Sequence, residues 1–189
     1  MIKAFIIFAA LLSGEAKDVT VDTKASSVEW LGKKVTGQHN GTVQLKEGSL
    51  SMDESGNLTG GTFTMDMTTL ISTDLSGEYK GKLEGHLKSD DFFGVATYPT
   101  ATFVITKAVP QGPGKYKVIG NITIKGTTKE IQFPATVETK DGRVTAKADI
   151  TIDRSKYDIR YGSGSFFDNL GDKTIYDNFD LTIALVADM

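Results

Sequence analysis

The sequence predicts an all-β chain, an antiparallel closed barrel of about eight strands with one short lid helix. Three observations carry this. Apolar and polar residues alternate over segment after segment, the period of strands with one buried face. Turn signals such as Gly56-Asn57, Gly126-Thr127-Thr128 and Asp141-Gly142 separate those segments. Helical spacing stands out in one place, where Tyr79, Leu83 and Leu87 recur every four residues. The polar faces carry Lys, Thr, Glu and Asp, which leaves no second apolar layer for helices to cover. Closure then removes the exposed edges an open sheet would keep, with a two-sheet sandwich as the rival.

In chain order, Met1-Ile2-Lys3 precedes an apolar run from Ala4 to Leu12, and Gly14 and Ala16 supply small residues at the −3 and −1 positions of a cleavage site. Residues 1–16 are therefore expected to be a signal peptide, with residues 17–189 forming one domain. Val19 and Val21 begin the alternation, followed by Val28 and Trp30. A Gly-rich bend at Gly37-Gln38-His39-Asn40-Gly41 leads to Val43 and Leu45, and Phe63, Met65 and Met67 form a very regular run. The helix around Tyr79 pairs Glu78 with Lys82 on its surface, and Gly77, Gly81 and Gly85 weaken it by up to ~1 kcal/mol each relative to Ala. Asp90-Asp91 then turns into Phe92-Phe93, and Pro99 starts a strand expected over residues 100–106.

A meander follows, with Tyr116, Val118, Ile122 and Ile124 on one face, then Ile131, Phe133, Ala135 and Val137, then Val144, Ala146, Ala148, Ile150 and Ile152. From Arg154 to Asn178 the alternation breaks into an aromatic, Gly-rich loop containing Tyr157, Tyr161, Phe166 and Phe167, which reads equally as a second lid or a plug. A final strand carries Phe179, Leu181, Ile183 and Leu185.

Composition narrows function. A net charge of −3, with both signs scattered along the chain, leaves no basic field for nucleic acid or an anionic membrane. The absence of cysteine excludes disulfides, thiolate nucleophiles and an acylated N-terminal anchor. The two histidines, His39 and His86, lack any metal or catalytic spacing, so neither a metal nor a catalytic residue is expected. The adjacent carboxylates Asp90 and Asp91 diverge where an acid–base pair would converge.

The run His86-Leu87-Lys88-Ser89-Asp90-Asp91-Phe92-Phe93, followed by Tyr98-Pro99-Thr100-Ala101-Thr102-Phe103, resembles the signature of the YceI-like family. Ser26 to Trp30, Gly120 to Lys129, Asp153-Arg154 and Gly171-Asp172 extend the likeness over nearly all of residues 17–189. The resemblance implies a lipocalin-like barrel, exported to the periplasm or secreted from a bacterial cell, enclosing a polyisoprenoid, an isoprenoid quinone or a related lipid. It implies no other cofactor, and a homodimer stays open.

With that fold, the strands are expected to line a ligand cavity through Trp30, Phe63, Met65 and Met67, then Phe103 and Ile105, then Tyr116 and Val118. Ile131, Phe133, Ile150, Phe179 and Ile183 complete the wall. Leu83, Leu87, Phe92 and Phe93 form the expected lid, with Tyr161 and Phe166 contributed by the long loop. His39, His86 and Asp90 are the candidates to meet a head group. Two rivals stay open: a lipid-modifying enzyme using the same cavity, and a structural protein with a packed interior.

Overall fold

The computed structural model describes residues 17–188, so the expected signal peptide lies outside the described residues. The strands are β1 (Lys17–Thr20), β2 (Ser27–Lys34), β3 (Gly37–Met52), β4 (Leu58–Ser72), β5 (Thr100–Gly112), β6 (Lys115–Ile124), β7 (Thr127–Lys140), β8 (Arg143–Asp153) and β9 (Ile175–Asp188), with one helix, α1 (Gly77–Lys88). Strands β2 to β9 pair antiparallel with their sequence neighbours, and β9 returns to β2, which closes an eight-stranded barrel. That is an up-and-down meander whose backbone edges satisfy one another. β1 pairs with β3 beyond the stretch that β2 covers, and Val21 bridges to Ala187 of β9, so this short segment continues the place of β2 between β3 and β9.

The hairpins follow turn chemistry. Lys125-Gly126 and Asp141-Gly142 are two-residue turns with φ of 48° and 72°, and 52° and 78°, the left-handed pairs that a right-twisted hairpin needs. Inward residues are apolar along each strand, as the alternation predicts. β6, for example, buries Tyr116, Val118, Ile122 and Ile124 while Lys115, Lys117 and Asn121 face out.

All connections at one end belong to a lid: the β2–β3 turn, α1 with the turn after it, the β6–β7 turn and the 154–174 loop. The other end is plugged. Val19, Val21, Leu50, Val144 and Ala187 are each no more than 3% exposed there, and the backbone N–H of Leu58 donates to the Tyr116 hydroxyl at 3.3 Å.

Three expectations change. The Gly-rich segment 37–41 is strand, and the chain turns earlier, at Val35-Thr36. Gly41 is glycine for space: a Cβ there would sit 1.8 Å from the Ile71 carbonyl oxygen and 2.6 Å from the Trp30 ring. The Trp30 indole Nε1 donates to that same carbonyl at 3.2 Å. The strand expected over residues 100–106 runs on to Gly112, because β6 pairs with it as far as Gly112↔Lys115; β4 pairs with it only to Ile105, so Pro110 lies where that side is an edge and a missing N–H is tolerated. The long loop also ends sooner, since β9 starts at Ile175.

Gly41→Ala is expected to cost about 1–3 kcal/mol through overpacking between β2 and β4, whereas at Gly32 an added Cβ meets nothing within 4 Å. Thermal melts of the two variants should therefore separate, with Gly32→Ala close to the parent.

Candidate ligand cavity

Closing eight strands around side chains of this size leaves a gap along the axis. About 200 Å³ of it is open to the centre of a water-sized sphere, within about 1530 Å³ of atom-free space that includes the open end. The walls are almost wholly carbon. Phe63 stacks on Phe103 at 6.3 Å between ring centroids, and Phe103 meets Phe133 at 5.5 Å, giving a continuous aromatic wall across β4, β5 and β7. Trp30, Met65, Met67, Ile105 and Val118 face the same space. So do Ile131, Ile150, Phe179 and Ile183.

The lid is held on by polar bonds more than by a buried helix face. No residue of α1 is fully buried, and Tyr79 is 75% exposed. Leu87 alone of its apolar face reaches the cavity; Leu83 is half-buried and lies outside the wall. The helix is tied down by Glu84, whose carboxylate accepts from the Ser72 N–H at 2.9 Å, and by Lys88, whose Nζ donates to the Thr68 carbonyl at 2.8 Å. The expected Glu78–Lys82 pair forms at 2.6 Å.

Phe92 is 7% exposed and sits where both halves of the lid meet. The His86 ring lies edge-on to it at 5.2 Å and the Tyr161 ring at 6.1 Å, with the Arg154 guanidinium over its face at 5.4 Å. Phe93 is half-buried, lines the cavity and packs edge-on against Phe179 at 6.3 Å.

Arg154 is the functional-site residue that strand periodicity passes over. It is 3% exposed, lines the lidded end of the cavity, and donates from Nη1 to Ile159 O at 2.8 Å, from Nη2 to Ile175 O at 3.0 Å and from Nε to Tyr176 O at 3.2 Å. One planar fork thus fastens the 154–174 loop to the start of β9. Burial pushes its pKa down, while the carboxylates of Asp177 and Asp153 pull it back up. Asp177 Oδ1 lies 3.4 Å from Nη2 without accepting a hydrogen bond; its Oδ2 accepts from the Ser165 hydroxyl at 2.6 Å.

The remaining candidates lie outside the cavity wall. Tyr161 is 47% exposed and covers His86 at 4.3 Å, and Phe166 is exposed under the Arg160 guanidinium at 4.9 Å. Tyr116 packs the plugged end, where its hydroxyl has a partner. His39 pairs through Nδ1 with Asp74 at 2.8 Å, and Asp90 is exposed, its backbone carbonyl accepting from Lys125 Nζ at 2.7 Å. Among the described residues no group of three His, Cys, Asp or Glu converges as a metal site would.

Two predictions follow from the lid. Phe92→Ala removes a buried ring and should cost about 3–5 kcal/mol, whereas Phe93→Ala should cost less in a thermal melt and act more on ligand dissociation. The second concerns acid. Burial raises the Asp74 pKa, but hydrogen bonds from His39, Ser72 and the Asn40 N–H outweigh it and bring it from 3.8 to about 2. A depressed carboxylate stabilises fully above its unfolded pKa and loses that contribution as pH falls through the folded value. Asp74→Asn should therefore flatten the loss of stability between pH 4 and 2. Parallel slopes for variant and parent would contradict it.

Comparison with known proteins agrees with this architecture. Residues 19–187 match the YceI-like domain. A UPF0312 protein of Vibrio parahaemolyticus is 32% identical over 136 residues, covering 69% of this chain and 68% of that protein. The crystal structure of Burkholderia cenocepacia BcnA, 25% identical, superposes with a TM-score of 0.69 over 88% of this chain and 99% of its own. A polyisoprenoid binding domain from Saccharophagus degradans shares the fold at 16% identity, with a TM-score of 0.64 over 89% and 97% of the two chains. The chain belongs to the YceI-like domain family.

Proposed function

We propose that this protein is a non-enzymatic carrier or store for a long apolar lipid, a polyisoprenoid, isoprenoid quinone or related chain, held along the barrel axis. The observation that carries the reading is the cavity itself, running along the barrel axis and walled by Phe63, Phe103 and Phe133. An apolar space of this kind stays dry and binds apolar guests. At about 0.3 kcal/mol per heavy atom, a chain of roughly 40 carbons would gain on the order of 12 kcal/mol, nanomolar binding without any charged contact. The name of the Saccharophagus relative points to the same chemistry. Among the described residues no acid–base pair converges on the wall, which favours carriage over catalysis. The apolar run before Ala16 supports export to the periplasm or beyond, with a mature chain starting at Lys17.

The test is saturable binding of a long-chain polyprenol, followed by recovery of the lipid. The parent should bind it and return it chemically unchanged. Phe103→Asp, which puts a charge on the wall, should abolish binding, whereas Val104→Asp on the exposed face should not. Turnover of the recovered lipid, or equal effects of the two variants, would overturn the reading.

A further inference from the structure

The barrel wall is incomplete in one place. β7 and β8 pair from Lys140↔Arg143 as far as Ala135↔Ala148 and stop, although β7 continues on β6 to Thr127 and β8 continues on β9 to Asp153. The cause is written in the chain. In an antiparallel ladder, alternate facing residues exchange both backbone bonds. The two-residue turn at Asp141-Gly142 makes Lys140 and Arg143 such a pair, so Glu138 with Thr145 and Thr136 with Lys147 follow, and Pro134 with Asp149 would be next. Proline has no N–H to give. From there toward the lid the two strands are separated by a slit.

Outside the slit lies a second, open hollow of about 720 Å³. It shares Phe133, Ala135, Lys147 and Ala148 with the inner cavity, so the two spaces adjoin through the wall beside Pro134. Lys115, Lys117 and Lys147 surround it. Lys115 and Lys147 stand on either side of Thr136, about 10 Å apart at two strand spacings, and Lys117 faces Pro134. Among the described residues none of the three is in an ion pair. The single carboxylate of the hollow, Asp149, accepts from the Thr182 hydroxyl at 2.9 Å. Lysines often guard open strand edges, but β6 is paired on both sides, so that role does not account for Lys115 and Lys117.

We propose that this hollow receives the anionic head of an amphiphile, a carboxylate or a phosphate, whose apolar tail passes through the β7–β8 slit into the barrel. The proposal rests on the reading of the barrel as a lipid cavity. It assigns the head to the side wall and leaves the lid as a cap.

The test compares cis-parinaric acid, a fluorescent fatty acid, with its methyl ester. In the Lys117→Gln/Lys147→Gln double variant the acid should bind about ten-fold more weakly and the ester as in the parent, and added salt should weaken the acid alone. Displacement by farnesyl phosphate against farnesol reports whether a phosphate head is taken in the same way as a carboxylate. For the slit, Gln132→Cys/Thr151→Cys places the chain's only thiols opposite each other in the continued register. Joining them with a short bismaleimide should slow uptake of the acid at least ten-fold relative to the unlinked double variant. Equal effects of the lysine changes on acid and ester, or uptake unchanged by the clamp, would overturn the proposal. Failure of the parent to bind either probe would overturn the cavity reading and this one with it.

Discussion

The inward side chains of eight strands must be satisfied by one another or by something carried between them, and the rest of the structure follows from that constraint. Closing the meander through β2 and β9 gives every strand of the ring a partner on both sides for at least part of its length. It also fixes the diameter, because strand number sets how far facing walls stand apart. Phe63, Phe103 and Phe133 cover one wall but do not reach across, so the axis stays open. On the proposed reading, a barrel with this lining would gain from an apolar guest what other proteins gain from a packed core.

The two ends handle the opening differently. At one, β1 and the residues around Leu50 and Ala187 fill the section with small and branched side chains. At the other, the chain spends its irregular segments: a helix with no fully buried residue, the turn at Phe92-Phe93, and the 154–174 loop. These pieces are joined chiefly at Phe92, which lies between His86, Tyr161 and Arg154. Arg154 is a buried cation whose cost is met by three backbone carbonyls and a nearby carboxylate, the arrangement a buried charge requires. The fastening is therefore polar and directional while the cavity below it is apolar.

The wall was legible in the sequence because period-two alternation ties each side chain to a face, and Phe103, Phe133, Ile150 and Phe179 all point inward as the pattern demands. The ends were harder. Glycine signals a turn only when its backbone freedom is the reason for it, and Gly41 is there for the approach of Trp30 and Ile71, which no local pattern encodes. The true turn at Val35-Thr36 contains no turn residue at all. Tyr79 keeps helical spacing with Leu87 yet lies in water, since α1 rests on the barrel by its C-terminal half. Arg154 stands in a motif that is readable as sequence, but its role depends on carbonyls of Ile159, Ile175 and Tyr176 that only the fold brings together. Pro134 was the one readable sign of the broken β7–β8 ladder, since a proline inside a regular strand marks a missing bond.

Native mass spectrometry of the protein isolated from bacterial cells without detergent tests the central claim most directly. The account predicts a population carrying a mass excess of one long-chain lipid, removed by organic extraction with the fold retained. The bare polypeptide mass alone, together with a solvent-filled axis in a crystal of the same preparation, would contradict it.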